Sequence, residues 1–475
     1  MTRSNQAPQF HLKTEPWAHQ LKALMYLYPR DAAALYTKPG SGKTKIMIDL
    51  IVNRGFHRVL VIAPKKVCPV WPYQVQLHSS IPSTQVHLLT DKTTQQKVQY
   101  LKQFKKPGSG VDIFVCNYDS VWRKPLDGVW LSKTLGIDCV ICDESHRIKS
   151  PGSKCSGFLG RMGKYVPHRY LLTGTPLAEN PMDVYAQYRF LDSSIFGTRY
   201  HDFCMEYQNV DVYATAKVGY TILDRKQPYK NLDKLKSKMF SCAFYMEATV
   251  TLPPVKKHLV KVPMPEALQW VYNTLSKEGA IELGEGFLTV NNVLSMITRK
   301  QQITSGYLQM EYDDGTTELK RISTYRRTAL LKLLRKLPTE EPVVVFARFK
   351  KDLYSIRKVA ERMGVGYSEV SGSENTLSEW QAGKTHVLGV QYASGSEGID
   401  LTRSCHCVFY TLGYSLAQHE QAIKRIHRPG QTRTCHYYYM TAVQPDSRTI
   451  DEGILQAIRQ KKEYVDLVMS GEEQV

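Results

Sequence analysis

The stretch Thr37-Lys38-Pro39-Gly40-Ser41-Gly42-Lys43-Thr44 constrains the fold of this chain more than any other. An apolar run from Ala32 to Tyr36 precedes it, and Ile46, Met47, Leu50 and Ile51 recur after it at helical spacing, which predicts a strand, a tight turn and a helix. Gly40 and Gly42 allow positive φ in that turn, so backbone N–H groups converge on an anion while the helix N-terminus adds its partial positive charge. The pattern is that of a phosphate cradle. Pro39, Gly40, Ser41 and Gly42 would form its wall, Lys43 would reach the β- and γ-phosphates of a nucleotide, and the Thr44 hydroxyl would ligate Mg²⁺. Thr37 stands where the pattern has its first glycine. Pro107-Gly108-Ser109-Gly110 repeats the small letters without Lys-Thr and reads as a surface loop.

At 475 residues the chain exceeds one ordinary core, and a hydrophobic content of 42% suffices for several packed domains. Lys and Arg number 63 against 44 Asp and Glu, a formal charge of +19 that points to a polyanionic partner, nucleic acid foremost. No apolar run approaches the length of a membrane helix, and Met1 to Lys13 lacks a signal core, so an intracellular protein without a membrane partner is expected. Ten scattered cysteines suit a reducing compartment. Cys139 and Cys142 sit in an apolar strand, as do Cys405, His406 and Cys407, and both groups read as core packing.

Taken in order, Gln20 opens a helical pattern one loop before the cradle, and its amide offers the donor and acceptor that an adenine edge requires. Strands are predicted at Arg58 to Ala63, Asp112 to Cys116 and Ile137 to Cys142, with helices between them, a rhythm that makes a parallel sheet. Asp143-Glu144 follows the last of these strands. There Asp143 would hold Mg²⁺ and Glu144 would orient the attacking water. A further strand ends in Thr173-Gly174-Thr175-Pro176, whose hydroxyls would sense the γ-phosphate.

From Asp192 to Arg327 the alternation fades into aromatic helical pieces, a lysine cluster at Lys230, Lys234, Lys236 and Lys238, and a turn at Asp313-Asp314-Gly315. The strand–helix rhythm returns at Pro342 to Ala347, with strands near Thr385 to Gln391, His406 to Thr411 and His436 to Met440. This second α/β domain has no cradle of its own. It carries Ser394-Gly395-Ser396-Glu397-Gly398-Ile399-Asp400 and then Gln421-Ala422-Ile423-Lys424-Arg425-Ile426-His427-Arg428-Pro429-Gly430. Arg425 and Arg428, three apart, are expected on one helical face, suited to bidentate contact with a phosphate.

This order of motifs resembles a superfamily two helicase-type motor, most closely the Swi/Snf-related ATPases, over residues 15 to 445. The resemblance implies an α/β fold of two RecA-like domains, parallel sheets flanked by helices, with helical insertions between them. The expected division is 1–195 for the ATP-binding lobe, 196–327 for insertions and linker, and 328–475 for the arginine-finger lobe. It implies ATP and Mg²⁺ as cofactors, with Gln20, the cradle, Gly398 and Asp400 binding nucleotide. Lys43, Asp143, Glu144, Arg425 and Arg428 are the implied catalytic set. Thr173, Thr175 and Gln421 would couple hydrolysis to motion, and Lys65, Asn117, Arg348 and Ser394 would touch the DNA backbone. Cys242 to Met246 departs from the family, which has an Arg-Arg-x-Lys segment there.

The expected activity is that of a monomeric DNA-dependent ATPase translocating on double-stranded DNA. A strand-separating or branch-migrating helicase, on DNA or less readily RNA, is one alternative, and a nucleic-acid-binding ATP switch is another. The expected location is the cytoplasm of a prokaryotic or virus-infected cell, or the nucleus of a eukaryote.

Overall fold

The computed structural model describes residues 9–38, 40–104, 110–211, 215, 223–224, 226–246, 252–283, 286–289, 293–312, 314–395 and 399–469. The chain divides into two compact units, one of residues 1–249 with 462–475 and one of residues 250–461. The loops expected at Pro107 to Ser109 and at Asp313 lie at least partly outside the described residues, as do Pro39 and Gly398.

Unit 1 is built on seven parallel strands: β1 (Ala32–Thr37), β2 (Arg58–Ala63), β3 (Val86–Leu88), β4 (Asp112–Asn117), β5 (Cys139–Asp143), β6 (His168–Thr173) and β7 (Ala243–Met246). Their order is β3-β4-β2-β5-β6-β1-β7, with β1 flanked by β6 and β7. β2 reads Arg-Val-Leu-Val-Ile-Ala and is buried along its whole length, as a central parallel strand covered on both faces must be. One face packs helices α1 (Ala18–Leu27), α2 (Lys43–Arg54) and α3 (Val70–His78), whose Leu24, Ile46, Leu50 and Trp71 join Val59, Val61 and Ile141 in one core. The other face carries Leu60, Phe114 and Val140 against Leu159, Tyr185 and Tyr188. Cys139 and Cys142 are fully buried in β5, as core residues.

Unit 2 holds six parallel strands: β8 (Val255–Pro263), β13 (Val343–Ala347), β14 (Tyr367–Val370), β15 (Val387–Gln391), β16 (His406–Phe409) and β17 (Cys435–Val443). They are ordered β14-β15-β13-β16-β17-β8. The helix Lys350–Met363 lays Leu353, Ile356, Val359 and Ala360 on this sheet, the face its spacing predicts. The α/β class with two parallel, helix-flanked sheets is therefore the observed one.

The segment 196–327 is shared between the units and is not purely helical. Its lysine cluster lies on and around a helix, Leu232–Phe240, in unit 1. Ala243–Met246, the segment that departs from the family pattern, is the edge strand β7 beside β1. In unit 2 it supplies β8 and an antiparallel sheet of β9 (Ala280–Leu283), β10 (Gly286–Thr289), β11 (Tyr307–Glu311) and β12 (Thr317–Arg321). Gly315, at φ +78°, sits in the β11–β12 connection where a hairpin turn needs positive φ.

Arg326 ties unit 2 together from inside. Its side chain is fully buried, pairs with Asp451 at 2.5 Å, and donates to the carbonyls of Thr304 at 3.2 Å, Met440 at 2.8 Å and Tyr410 at 2.8 Å. Asp451 in turn accepts from Thr304 Oγ1 at 2.9 Å and Ala442 N at 3.1 Å. Thr304, Tyr410 and the Met440–Ala442 stretch of β17 thus meet on one ion pair whose hydrogen-bonding groups are shared out among them.

Candidate nucleotide site and its neighbours

The cradle forms between β1 and α2 as its letters require. Gly40 has φ +85° and Gly42 φ +81°, the latter as the residue that opens α2. Thr37, in the place of the usual glycine, closes the loop by bonding its hydroxyl to Ser41 Oγ at 2.6 Å. Lys43 is nearly buried and its ammonium donates to the carbonyls of Thr37 at 3.0 Å and Lys38 at 3.4 Å, so the charge is held inside the loop. Thr44 follows on the first turn of α2, half-buried.

Gln20 lies against this loop. Its Nε2 donates to Ser41 O at 3.2 Å, its Oε1 accepts from Trp17 N at 2.9 Å, and His19 Nε2 bonds the same Ser41 carbonyl at 2.8 Å. A Cβ on Gly42 would stand 2.2 Å from Gln20 Nε2, so a side chain there would displace the Gln20 amide, while φ +81° is what favours glycine.

Asp143 ends β5 in the same unit. Its carboxylate accepts from the indole N–H of Trp71 at 3.0 Å, and its backbone carbonyl accepts from Tyr118 OH at 2.8 Å. Burial, then the charge of Glu144, push its pKa up to about 6, against the opposing pull of Lys43 and the Trp71 hydrogen bond. A buried carboxylate raised in this way is short of positive charge. That donor set, with the Thr44 hydroxyl, fits a hard divalent cation such as Mg²⁺.

Glu144 adopts φ +53°, a left-handed conformation that a non-glycine residue holds only at a cost. From it a polar chain runs away: His146 Nδ1 lies 3.3 Å from Glu144 Oε2 and 3.3 Å from Thr173 Oγ1, and Thr173 Oγ1 accepts from Thr175 N at 3.0 Å. The acid pair at the end of β5 is connected to Thr173, the last residue of β6, and to Thr175 just beyond it. Ser145 Oγ donates to Gln187 Oε1 at 2.8 Å, and Gln187 Nε2 donates to Pro176 O at 2.7 Å, which pins both loops to the helix Val184–Leu191. Trp71, His146 and Gln187 were not among the candidates. His146 alone carried a signal, since it follows the acid pair by two residues.

The remaining lobe-1 candidates lie at the carboxyl ends of strands, where parallel α/β sheets expose their loops. Lys65 is exposed two residues after β2, whereas Asn117, the last residue of β4, is buried and accepts from Ser120 Oγ at 2.6 Å.

In unit 2, Arg348 directly follows β13; its N–H donates to Thr411 Oγ1 at 2.8 Å and its guanidinium bonds Gln301 Oε1. Ser394 lies in the short helix Tyr392–Gly395 after β15. Gln421 and Arg425 are half-buried on the helix Leu416–Ile426. Arg428 does not share that face. The helix stops at Ile426, and Arg428 stands in the turn beyond it, because the chain swings out of helical geometry at His427, whose Nε2 lies 2.8 Å from Pro253 O. The turn still gathers the expected residues: Arg428 Nη1 is 3.7 Å from Asp400 Oδ2, and Leu401 N donates to Arg425 O at 3.1 Å. Partial burial raises the Asp400 pKa, but hydrogen bonds from Thr402 and then the charges of Arg428 and Arg425 prevail and hold it below the ordinary carboxylate value.

Cys405 and His406 are buried near Glu341, close enough for the three to share a cation. Glu341 is already neutralised by Arg433 at 2.5 Å and receives the Cys405 thiol at 3.4 Å. Among the described residues no helix is long and apolar enough to cross a membrane.

Residues 19–307 match the model of the SNF2-related domain, and residues 326–430 match that of the helicase conserved C-terminal domain. Similar proteins include the uncharacterized ATP-dependent helicase YqhH of Bacillus subtilis, 22% identical over 96% of this chain and 80% of its own length. The DNA repair and recombination protein RAD54B of Gallus gallus is 20% identical over 92% of this chain, which spans 52% of that protein. The Sulfolobus solfataricus SWI2/SNF2 ATPase core in complex with dsDNA aligns over 98% of this chain and 96% of that one, at 17% identity and a TM-score of 0.43.

Proposed function

This chain belongs to the SNF2-related family, and we propose that it is a motor that hydrolyses ATP to move along double-stranded DNA. The observation that carries the hydrolytic half is the gathering, within unit 1, of the Gly40–Thr44 cradle, Asp143, and the chain from Glu144 through His146 to Thr173 and Thr175. Lys43 and the loop N–H groups hold the β- and γ-phosphates. Thr44 and Asp143 would hold Mg²⁺, which supplies Lewis-acid neutralisation of phosphate charge when bound. Glu144, fixed in a strained conformation, orients the attacking water. His146 touches both Glu144 and Thr173, so a change at the γ-phosphate is felt at the loop after β6.

Duplex DNA as the track is supported by the charge of +19 and by relatives named for helicase action and DNA repair. Arg425 and Arg428 are assigned to the charge that develops on the transferring phosphoryl group, a role suited to permanently charged, bidentate guanidiniums. The deciding experiment is ATP turnover measured with duplex, single-stranded and branched DNA and with RNA, followed by displacement of a third strand from a duplex. Stimulation by duplex with triplex displacement is expected. Stimulation by RNA alone rejects the reading. Arg428→Ala should keep ATP binding and lose turnover by about 10³-fold.

A further inference from the structure

β8 is the last strand of the six-stranded sheet, nine residues long, paired on one side with β17; among the described residues no strand pairs with its other side. Its ends show which backbone groups face outward. Pro254 O accepts from Cys435 N at 2.9 Å and Met264 N donates to Val443 O at 3.0 Å, so both residues face β17. The N–H and C=O of one strand residue point to the same side and alternate along the chain. Lys256, His258, Val260 and Val262 therefore face β17, while Val255, Lys257, Leu259 and Lys261 turn their N–H and C=O groups outward. Pro263, next in that series, stands where a missing N–H costs no bond to β17.

A groove lies on each face of this edge. One, of about 470 Å³, is lined by Val260, Val262, Tyr325, Ala329, Lys332 and Lys336. The other, of about 270 Å³, is lined by Leu259, Thr441, Val443, Arg448, Leu455 and Arg459. Lys261 borders both. The acid at the second groove, Glu452, is engaged at the start of its helix, accepting from Thr449 N at 2.8 Å and Thr449 Oγ1 at 3.2 Å. Each groove thus offers an apolar floor and at least two cations. A strand added to this edge would send alternate side chains over the two grooves. The exposed Lys256, Lys257 and Lys261 repel another basic edge, including a second copy of β8, and suit an acidic strand.

We propose that the outer edge of β8 takes up an extended acidic segment of a partner protein by strand addition, with carboxylates and small apolar side chains on both of its faces. The inference is independent of what the nucleotide site drives. The probe is a fluorescein-labelled peptide about ten residues long, built on a Glu-Glu-Val-Val repeat so that each face carries both groups. It is titrated into the full chain and followed by anisotropy. Saturable binding is expected, weakened at least about tenfold in Lys332→Glu/Lys336→Glu and in Leu259→Pro, which removes one outward N–H. If Leu259→Pro does not fold, the charge-reversal pair decides alone. Equal binding of a peptide with Lys for Glu, or of one interrupted by prolines that cannot pair as a strand, overturns the proposal. So does an unchanged affinity in the charge-reversal pair. A single-stranded oligonucleotide of equal charge that binds more tightly and loses affinity in the same variant would assign the surface to nucleic acid instead.

Discussion

The indole N–H of Trp71 donates to Asp143 Oδ2 at 3.0 Å, from a side chain buried on helix α3, 72 residues away in sequence from the strand end that carries Asp143. This bond fixes the rotation of the carboxylate, so it determines where the other oxygen points. Outer contacts of this kind tune a metal-binding carboxylate by about ten- to a hundredfold in affinity. Trp71→Phe should therefore raise the Mg²⁺ concentration for half-maximal ATP turnover about tenfold and leave turnover at saturating Mg²⁺ largely intact. An unchanged Mg²⁺ requirement would show that the bond is structural only.

Asp143 also makes stability depend on pH in a defined direction. Its folded pKa, about 6, exceeds the ordinary 3.8 because burial and Glu144 disfavour the charge. Below pH ~4 the carboxyl is protonated in both folded and unfolded chains and costs nothing. As pH rises from ~4 to ~6 the unfolded chain ionises first, so stability is lost through that window and stays lost above it. Asp143→Asn removes the loss. Without nucleotide, the variant should exceed the native protein by about 1–3 kcal/mol at neutral pH, and the difference should vanish near pH 4. Thermal unfolding across that range checks it; a constant difference at every pH would place the effect elsewhere. Turnover should be abolished throughout.

Much of this site was legible because its residues are neighbours in sequence. Gly40 to Thr44 and Asp143-Glu144 are contiguous, and each declares its geometry by the strand before it. Trp71 and Gln187 were not legible, because their roles arise from contacts across 72 and 42 residues. β8 escaped for a different reason: Lys256, Lys257 and Lys261 give an edge strand the composition of a solvated linker. Arg428 was expected on the same helical face as Arg425 because spacing alone does not show that the helix ends two residues earlier, at Ile426.

Arg326 and Asp451, 125 residues apart, were equally invisible, and their pair yields a stability prediction. Arg326→Met leaves Asp451 buried with only Thr304 and Ala442 as donors, and should destabilise unit 2 by about 3–5 kcal/mol. Adding Asp451→Leu removes the orphaned charge and should restore part of that loss. Hydrogen exchange of the β16 and β17 amides reads both effects. A double variant less protected than Arg326→Met would mean that the neutral hydrogen bonds, not the charge, dominate.

Gly42 and Gln20 separate two costs that glycine avoids at once. A side chain at position 42 pays for φ +81°, about 1–2 kcal/mol, and for a Cβ 2.2 Å from Gln20 Nε2. Gly42→Ala should therefore weaken nucleotide binding more than the backbone term alone, about tenfold or beyond, because Gln20 must leave its bond to Ser41. Gln20→Ala should weaken binding on its own by removing the amide. In the double variant the clash is gone but the backbone strain is not, so the two losses should be less than additive, with a coupling of about 1 kcal/mol. Equilibrium titration with a fluorescent ATP analogue measures all four proteins. Strict additivity would mean that the loop shifts away from Gln20 at no cost, and that the contact between them does not shape the cradle.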